Sequence, residues 1–429
     1  MQRTISGLSP ARSDKLKSWL SRNQYGTSID GHSESDFGSI WAATEICRQL
    51  SEVGHGLYTK QAIPLFFVPI EGQERNAYAY YVQDANFDVV SITRALLNSV
   101  DEFTFFLGRY LMLSPERKVG GSLNFLYKTE GDLKVKVDIL GTLIRDGVLA
   151  FLIGHELGHL MAGHLAVVHE LRNQANFVGA DESSVWDEAL MASMAKELMH
   201  DLEKSSILNA LEVDADIQGM DFLARHWRAV FDDNNLSPDQ TAIYSDALKT
   251  TERRYFISLT CIGIAFLLLG FKPFDGSWMA QPTHPLGATR LLIALKALPS
   301  FFHAANGLEL IRAEAVESIV LVHSAWAQKL LSDEKTGVSS DASSATKRDA
   351  DILKVVKSKP SEKKHNYMLS ASGVLGAIHA SEQMGEYLTQ LSESLASTEA
   401  LRSYAMRTRV EKLKQWKADV HSDELLKGC

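Results

Sequence analysis

The stretch that decides the fold is Gly147-Val-Leu-Ala-Phe-Leu-Ile-Gly-His-Glu-Leu-Gly-His159, an apolar run that ends in two histidines and a glutamate. Residues four apart on an α-helix lie on one face, because four residues turn the helix by about 400°. His155 and His159 can therefore reach one metal ion, with Glu156 beside them on the same rim. In a buried helix these polar groups would be costly unless they bound a metal or were satisfied by neighbouring hydrogen bonds.

A catalytic zinc site needs a third protein ligand and an open position. Two downstream acidic pairs, Glu197 with Asp201 and Glu212 with Asp216, each place two carboxylates on one helix face. We favour Glu212 as the ligand and Asp216 as the group that orients a ligand histidine, because apolar and small residues surround this pair. The alternative for Glu212 is an ordinary surface carboxylate. Asp214 is predicted to point away from the face of Glu212.

A third histidine follows the motif, but its spacing does not predict a ligand. His164 lies five residues beyond His159, which places it on the other side of a continuing helix. The pattern HExxHxxGxxH is absent, since Ala162 and Leu165 occupy its glycine and final histidine positions. We expect His164 and His169 to be surface or second-layer residues.

The composition describes an ordinary globular protein. The chain has 429 residues, of which 45% are hydrophobic and 23% charged. Its net charge of −9 gives no general attraction to nucleic acid. The three cysteines (Cys47, Cys261 and Cys429) are far apart, and the N-terminus lacks the apolar core of a secretory signal. These features favour a cytoplasmic location.

The rest of the pattern predicts a small sheet among helices, in the α+β class. Strand-like patterns cover 63–70, 75–82 and 87–93. Helical patterns cover 11–55, 94–100 and 185–230, a motif helix is predicted from Ile139 to about Glu170, and 114–135 looks like a loop or hairpin. We divide the chain into a catalytic domain (1–331), a polar linker or insertion (332–366) and a helical C-terminal extension (367–429).

Residues 255–271 form an uncharged segment that allows two interpretations. The segment is short for a bilayer span of about 20 residues. We favour a helix buried inside the domain. The alternative is a membrane anchor.

Four motifs follow one another along the chain. These are Asn76-Ala-Tyr-Ala79 followed by Leu96-Leu97, then the metal helix, Glu212-Val-Asp-Ala-Asp216, and His284-Pro285 with Arg290. Taken in order, they resemble the motifs of the gluzincin peptidases of the M48 family. The resemblance covers roughly 60–300. It differs from the family's usual pattern in a long insertion, 98–147, which could cover the cleft or select the substrate.

The resemblance implies a mostly helical, zincin-like domain whose small sheet edges the active-site cleft. It implies one zinc per chain, bound by His155, His159 and Glu212, with Glu156 as general base. It also implies that the strand containing Asn76, Ala77 and Tyr78 binds an extended substrate. His284 could donate to the oxyanion of the reaction, or it could fix the turn with Pro285, and Arg290 is expected to pair with a carboxylate near the site.

We therefore expect a zinc metalloendopeptidase that hydrolyses peptide bonds in a protein or peptide substrate through metal-activated water. One alternative is a non-catalytic, zinc-containing interaction protein. Another is a membrane-associated processing protease anchored through 255–271. No feature of the sequence indicates a nucleic-acid partner or a particular oligomeric state.

Overall fold

The structure is a computed structural model, and it describes residues 38–53, 65–70, 75–82, 87–112, 125–128, 131–165, 202–231, 236–269 and 287–302, with isolated positions beside them. The predicted linker 332–366 lies outside the described residues, as does the predicted extension 367–429 apart from residue 393. The turn predicted at His284-Pro285 lies outside them as well.

The elements confirm a mostly helical α+β fold with a small sheet. In chain order they are α1 (Ser39–Val53), β1 (Leu65–Ile70), β2 (Ala77–Val82), β3 (Phe87–Thr93), α2 (Arg94–Met112), α3 (Phe125–Lys128), α4 (Leu133–Met161), α5 (Leu202–Phe231), α6 (Pro238–Leu248), α7 (Thr251–Leu268) and α8 (Gly287–Phe301).

The described sheet has three strands in the order β1-β3-β2, so β2 lies at one edge. β1 runs parallel to β3, and β2 runs antiparallel to it with Ala77 opposite Ile92. The N-terminal end of β2 is held by Thr93, whose backbone N–H donates to the carbonyl of Asn76 at 2.9 Å. The Asn76 N–H donates in return to Oγ1 of Thr93 at 3.0 Å. All three strands lie where the sequence predicts them.

The motif helix α4 is the centre of the core, because it packs against helices α1, α2, α3, α5, α6 and α7 as well as both β2 and β3. Its predicted bounds were wrong at both ends. The helix begins at Leu133, where the Asp132 side chain accepts from the N–H of Lys134 at 2.8 Å and caps it. It ends at Met161, because Gly163 turns the chain with a φ of 74°.

Small residues let α4 and α5 pack closely together. A Cβ added to Gly154 would lie 2.6 Å from Cβ of Phe222, and one added to Gly158 would lie 3.2 Å from Cα of Ala215. Gly219 approaches α4 so closely that an added Cβ would lie 3.0 Å from the carbonyl oxygen of Phe151. This close contact sets the distance between the two halves of the site.

The uncharged segment 255–271 forms most of helix α7. Its side chains from Tyr255 to Leu268 are buried, apart from the half-buried position at Gly263. Trp227 of α5 donates to Oγ of Ser258 at 2.8 Å, which satisfies two polar groups inside this contact. The interpretation of a helix buried within the domain is confirmed. No helix in the described ranges is long and apolar enough to cross a membrane.

The insertion 98–147 is mostly helical where the structure describes it. It contributes the greater part of α2, the short helix α3 and the first half of α4. Predicting a loop or hairpin over 114–135 was wrong for its last part, since helix α3 spans Phe125–Lys128 and α4 starts at Leu133. Buried side chains such as Phe103, Leu126 and Leu140 place these described helices in the core.

His226 of α5 should make the stability of the protein depend on pH. It is buried, and neither ring nitrogen has a hydrogen-bond partner among the described residues. Burial lowers the pKa of His226 from 6.5 to about 4. The unfolded chain therefore binds a proton between these values while the folded chain does not, so stability falls as the pH drops through 6.5 towards 4.

We expect His226 to lower the free energy of unfolding by about 2 kcal/mol when the pH is reduced from 7 to 5. Urea unfolding of the wild type and of His226→Leu at both pH values measures it. The variant should lose less stability on acidification than the wild type by about that amount. Equal losses in the two proteins would contradict the assignment.

Candidate metal centre

Two helices bring three buried donor side chains together. His155 and His159 lie on α4, and Glu212 lies on α5. The two Nε2 atoms are 3.1 Å apart, and the Glu212 carboxylate oxygens lie 3.6 Å and 3.5 Å from Nε2 of His155 and His159 respectively. Among the described residues, this is the one group of three such side chains close enough to hold a metal ion. The rival Glu197 and Asp201 lie outside the described residues.

The donor set fits a zinc ion. Two ligand atoms of a tetrahedral zinc are about 3.3 Å apart, given bonds of about 2.0–2.1 Å. The three separations in the site, 3.1 to 3.6 Å, lie close to that value. Two imidazoles and one carboxylate leave a fourth position open, which is the arrangement of a catalytic rather than a structural zinc. The site therefore suits a metal that also binds water or substrate.

The ring of His155 is held from its other side by an acidic residue one turn beyond Glu212. Its Nδ1 lies 3.0 Å from Oδ1 of Asp216. Arg290 of α8 binds the same carboxylate with two donors, Nε at 2.7 Å and Nη2 at 2.6 Å. All three side chains are buried. The structure thus places Asp216 where the sequence predicted a group that orients a ligand histidine, and Arg290 on a carboxylate at the site.

The positive charge of Arg290 favours the ionised form of Asp216. Burial acts to raise the pKa of this carboxyl, but the Arg290 charge and the hydrogen bonds from His155 and Arg290 outweigh it, so the pKa lies below its ordinary value. Asp216 is therefore ionised and can accept a hydrogen bond from a protonated Nδ1 of His155. A histidine whose Nδ1 donates in this way presents the Nε2 lone pair to a metal.

His159 is contacted by His164, which in turn contacts Asp214, and sequence reasoning missed both contacts. Its Nδ1 lies 3.0 Å from Nδ1 of His164, and Nε2 of His164 lies 2.9 Å from Oδ2 of Asp214. His164 is fully buried. The expectation that His164 lies on the other side of a continuing helix was wrong, because its ring lies against His159. Asp214, which was predicted to point away from the face of Glu212, contacts His164 and is not part of the group of three donor side chains. Of the two alternatives for His164, the second-layer position is the one observed.

The error for His164 has one physical cause. The helical periodicity was extended past Met161, but α4 ends there and Gly163 turns the chain, so His164 folds back towards His159. Because His164 lies beyond the end of α4, its Nε2 can lie 2.9 Å from Oδ2 of Asp214 on α5. The glycine at 163, directly before a histidine, was the signal that could have indicated the turn.

The remaining predicted site residues take these positions. Glu156 is 4% exposed and directly follows the first histidine on α4. Ala77 and Tyr78 lie on the edge strand β2, which contacts α4, and Asn76 immediately precedes it. The Asn76 side chain accepts a hydrogen bond from the backbone N–H of the next residue, Ala77, at 3.0 Å. His284 lies outside the described residues.

Comparison with known families agrees with this geometry. Peptidase family M48 matches residues 47–292, which is more than half of the 429-residue chain and includes β1 to β3, α4, α5 and the start of α8. The comparisons with curated proteins and with solved structures give no match. M48 peptidases are zinc-dependent, and the match spans all three side chains of the candidate metal site. The chain therefore belongs to peptidase family M48.

Proposed function

We propose that the protein is a zinc-dependent endopeptidase that hydrolyses internal peptide bonds of a protein or peptide substrate. The observation that carries the proposal is the convergence of His155, His159 and Glu212 on one buried point, with the buried Glu156 next to His155 on the same helix. These side chains would hold one zinc per chain. A bound zinc would supply Lewis acidity, which polarises the scissile carbonyl and lowers the pKa of a water molecule so that it can lose a proton and attack that carbonyl.

Glu156 is the proposed proton carrier. Its carboxylate takes a proton from the attacking water and later delivers that proton to the amide nitrogen that leaves. The residue starts and ends the reaction as a carboxylate, so no other base is needed. A purely structural metal site has no use for this group, which argues against the alternative of a non-catalytic interaction protein.

The edge strand β2 is the proposed docking site for substrate. Its one neighbour in the described sheet is β3, and its helix contact is with α4, the helix that carries the two histidines. An extended peptide that pairs with β2 would run past the metal helix with its backbone in the orientation of a strand. Pairing along a strand holds the peptide on both sides of the cleaved bond, and this favours internal cleavage.

Metal content tests the three-ligand site. We expect about one zinc per chain in the wild type and in Glu197→Gln, measured by mass spectrometry after zinc loading and desalting. Glu212→Gln should retain far less zinc, because a neutral amide is a poor ligand compared with a carboxylate. A folded, zinc-loaded wild type that retains no metal would contradict the proposal. Equal loss in Glu197→Gln would reassign the third ligand.

A further inference from the structure

We propose that His164 and Asp214 form a relay that orients His159 as a metal ligand, and that this chain thus supports its two ligand histidines by different means. The inference rests on the proposed metal centre. It assigns a positioning role to two residues outside the His155, His159 and Glu212 group. We call the chain of contacts from His159 through His164 to Asp214 the relay.

The distances allow one arrangement of protons along the relay. Nε2 of His159 faces Nε2 of His155 and the Glu212 carboxylate, so this atom must keep its lone pair to bind a metal. A neutral imidazole then carries its proton on Nδ1, which lies 3.0 Å from Nδ1 of His164. His164 must accept that hydrogen bond, so its own proton lies on Nε2 and is donated to Asp214 at 2.9 Å.

The arrangement has a clear consequence for the ligand. Asp214 fixes the tautomer of His164, and His164 in turn fixes the tautomer and ring orientation of His159. In the other tautomer of His164, its Nδ1–H would face the Nδ1–H of His159, and the lone pair on its Nε2 would face the lone pairs of Asp214. Because His164 is fully buried, no solvent replaces the lost contact readily.

The two ligand histidines are therefore supported by different groups. His155 meets a carboxylate directly, and that carboxylate is held in the core by Arg290. His159 meets a carboxylate through an interposed ring, and Asp214 at the end of the relay is 18% exposed. The turn at Gly163 makes the second arrangement possible, because it places His164 beside the ring of His159.

Three variants separate orientation from mere packing. His164→Leu fills the buried space without a polar atom. His164→Asn keeps an acceptor, since its Oδ1 occupies the place of Nδ1 of histidine, but it cannot reach Asp214. Asp214→Asn keeps an acceptor for His164 while removing the charge. His226→Leu is the matched control, because His226 is a buried histidine on α5 that lies 14 residues, or about 21 Å, beyond Glu212.

The zinc dissociation constant is measured for each protein by competition with a chromophoric chelator, and the visible spectrum of the cobalt(II)-loaded protein reports ligand geometry. We expect His164→Leu to weaken zinc binding by about 10–100-fold and to alter the cobalt spectrum. His164→Asn should recover much of that loss, whereas a residue that only fills space would be replaced better by leucine. Asp214→Asn should fall between wild type and His164→Leu, and His226→Leu should match wild type.

Wild-type affinity and an unchanged cobalt spectrum in His164→Leu would overturn the relay while leaving the zinc site intact. Loss of zinc binding in His226→Leu to the same extent would overturn it as well, since the effect would then be general. A wild type that binds no zinc would instead remove the proposed metal centre, and the relay with it. If His164→Leu does not fold, as judged by circular dichroism, His164→Asn and Asp214→Asn decide the matter by the same measurements.

Discussion

Replacing Glu156 by glutamine is expected to lower kcat/KM for peptide hydrolysis by roughly 10²–10⁴-fold, the usual contribution of a positioned general base. The amide cannot take the proton of the attacking water, and it cannot return one to the leaving nitrogen. The glutamine has almost the same shape and lies next to the ligands rather than among them. Zinc content should therefore stay at the wild-type level.

The control for this variant is Glu102→Gln, which makes the same chemical change at a side chain that is 62% exposed and lies on α2. It should leave both activity and metal content unchanged. Activity is followed with a denatured protein substrate, and cleavage products are identified by mass spectrometry so that internal cuts are distinguished from trimming at the ends. Full activity in a zinc-loaded Glu156→Gln protein would rule out the proposed role of Glu156.

Replacing Arg290 by methionine is expected to destabilise the zinc-free protein by about 3–5 kcal/mol, the range found when one partner of a buried ion pair is removed. The guanidinium is 1% exposed, binds Asp216 with two donors and lies 3.7 Å from Oε2 of Glu212. It also stacks near the Phe266 ring, 4.8 Å from its centroid. Without it, two buried carboxylates lose the positive charge beside them.

The matched control is Arg225→Met. Arg225 pairs with Asp221 at 2.7 Å on the surface of α5, where the side chains are 39% and 31% exposed. A surface pair of this kind contributes about 0–1 kcal/mol. Urea unfolding in the presence of a chelator compares the two variants, and the double variant Arg290→Met, Asp216→Leu should recover part of the loss because no buried charge at 216 remains. Equal costs for Arg290→Met and Arg225→Met would contradict the importance of the buried pair.

Local patterns were enough to predict the ligand group. The four-residue spacing of His155 and His159 lies within one helix, where periodicity alone determines which side chains share a face. The same reasoning selected Glu212 with Asp216, and the structure brings Glu212 to both histidines and Asp216 to His155. Strands β1 to β3 were equally readable, since aromatic and β-branched residues are concentrated in these short stretches.

The prediction from sequence was wrong beyond the C-terminal end of helix α4. The pattern continued to look helical beyond Met161, and nothing in the apolar periodicity showed that the chain turns at Gly163. The first six residues of α4, from Leu133 to Asp138, were also missed. Gly131 and the polar residues around it suggested a loop over 114–135, but Asp132 caps a helix that tertiary packing then extends.

The sequence by itself determined the helical spacing of the ligand residues, the order of the elements and the small residues that allow α4 and α5 to approach each other. Only the tertiary structure decided which groups stand behind the ligands: Arg290 on Asp216, and His164 with Asp214 on His159. The reason is physical. Periodicity describes contacts within one element, whereas these hydrogen bonds join side chains 50 and 74 residues apart, or across a turn, and depend on how the helices pack.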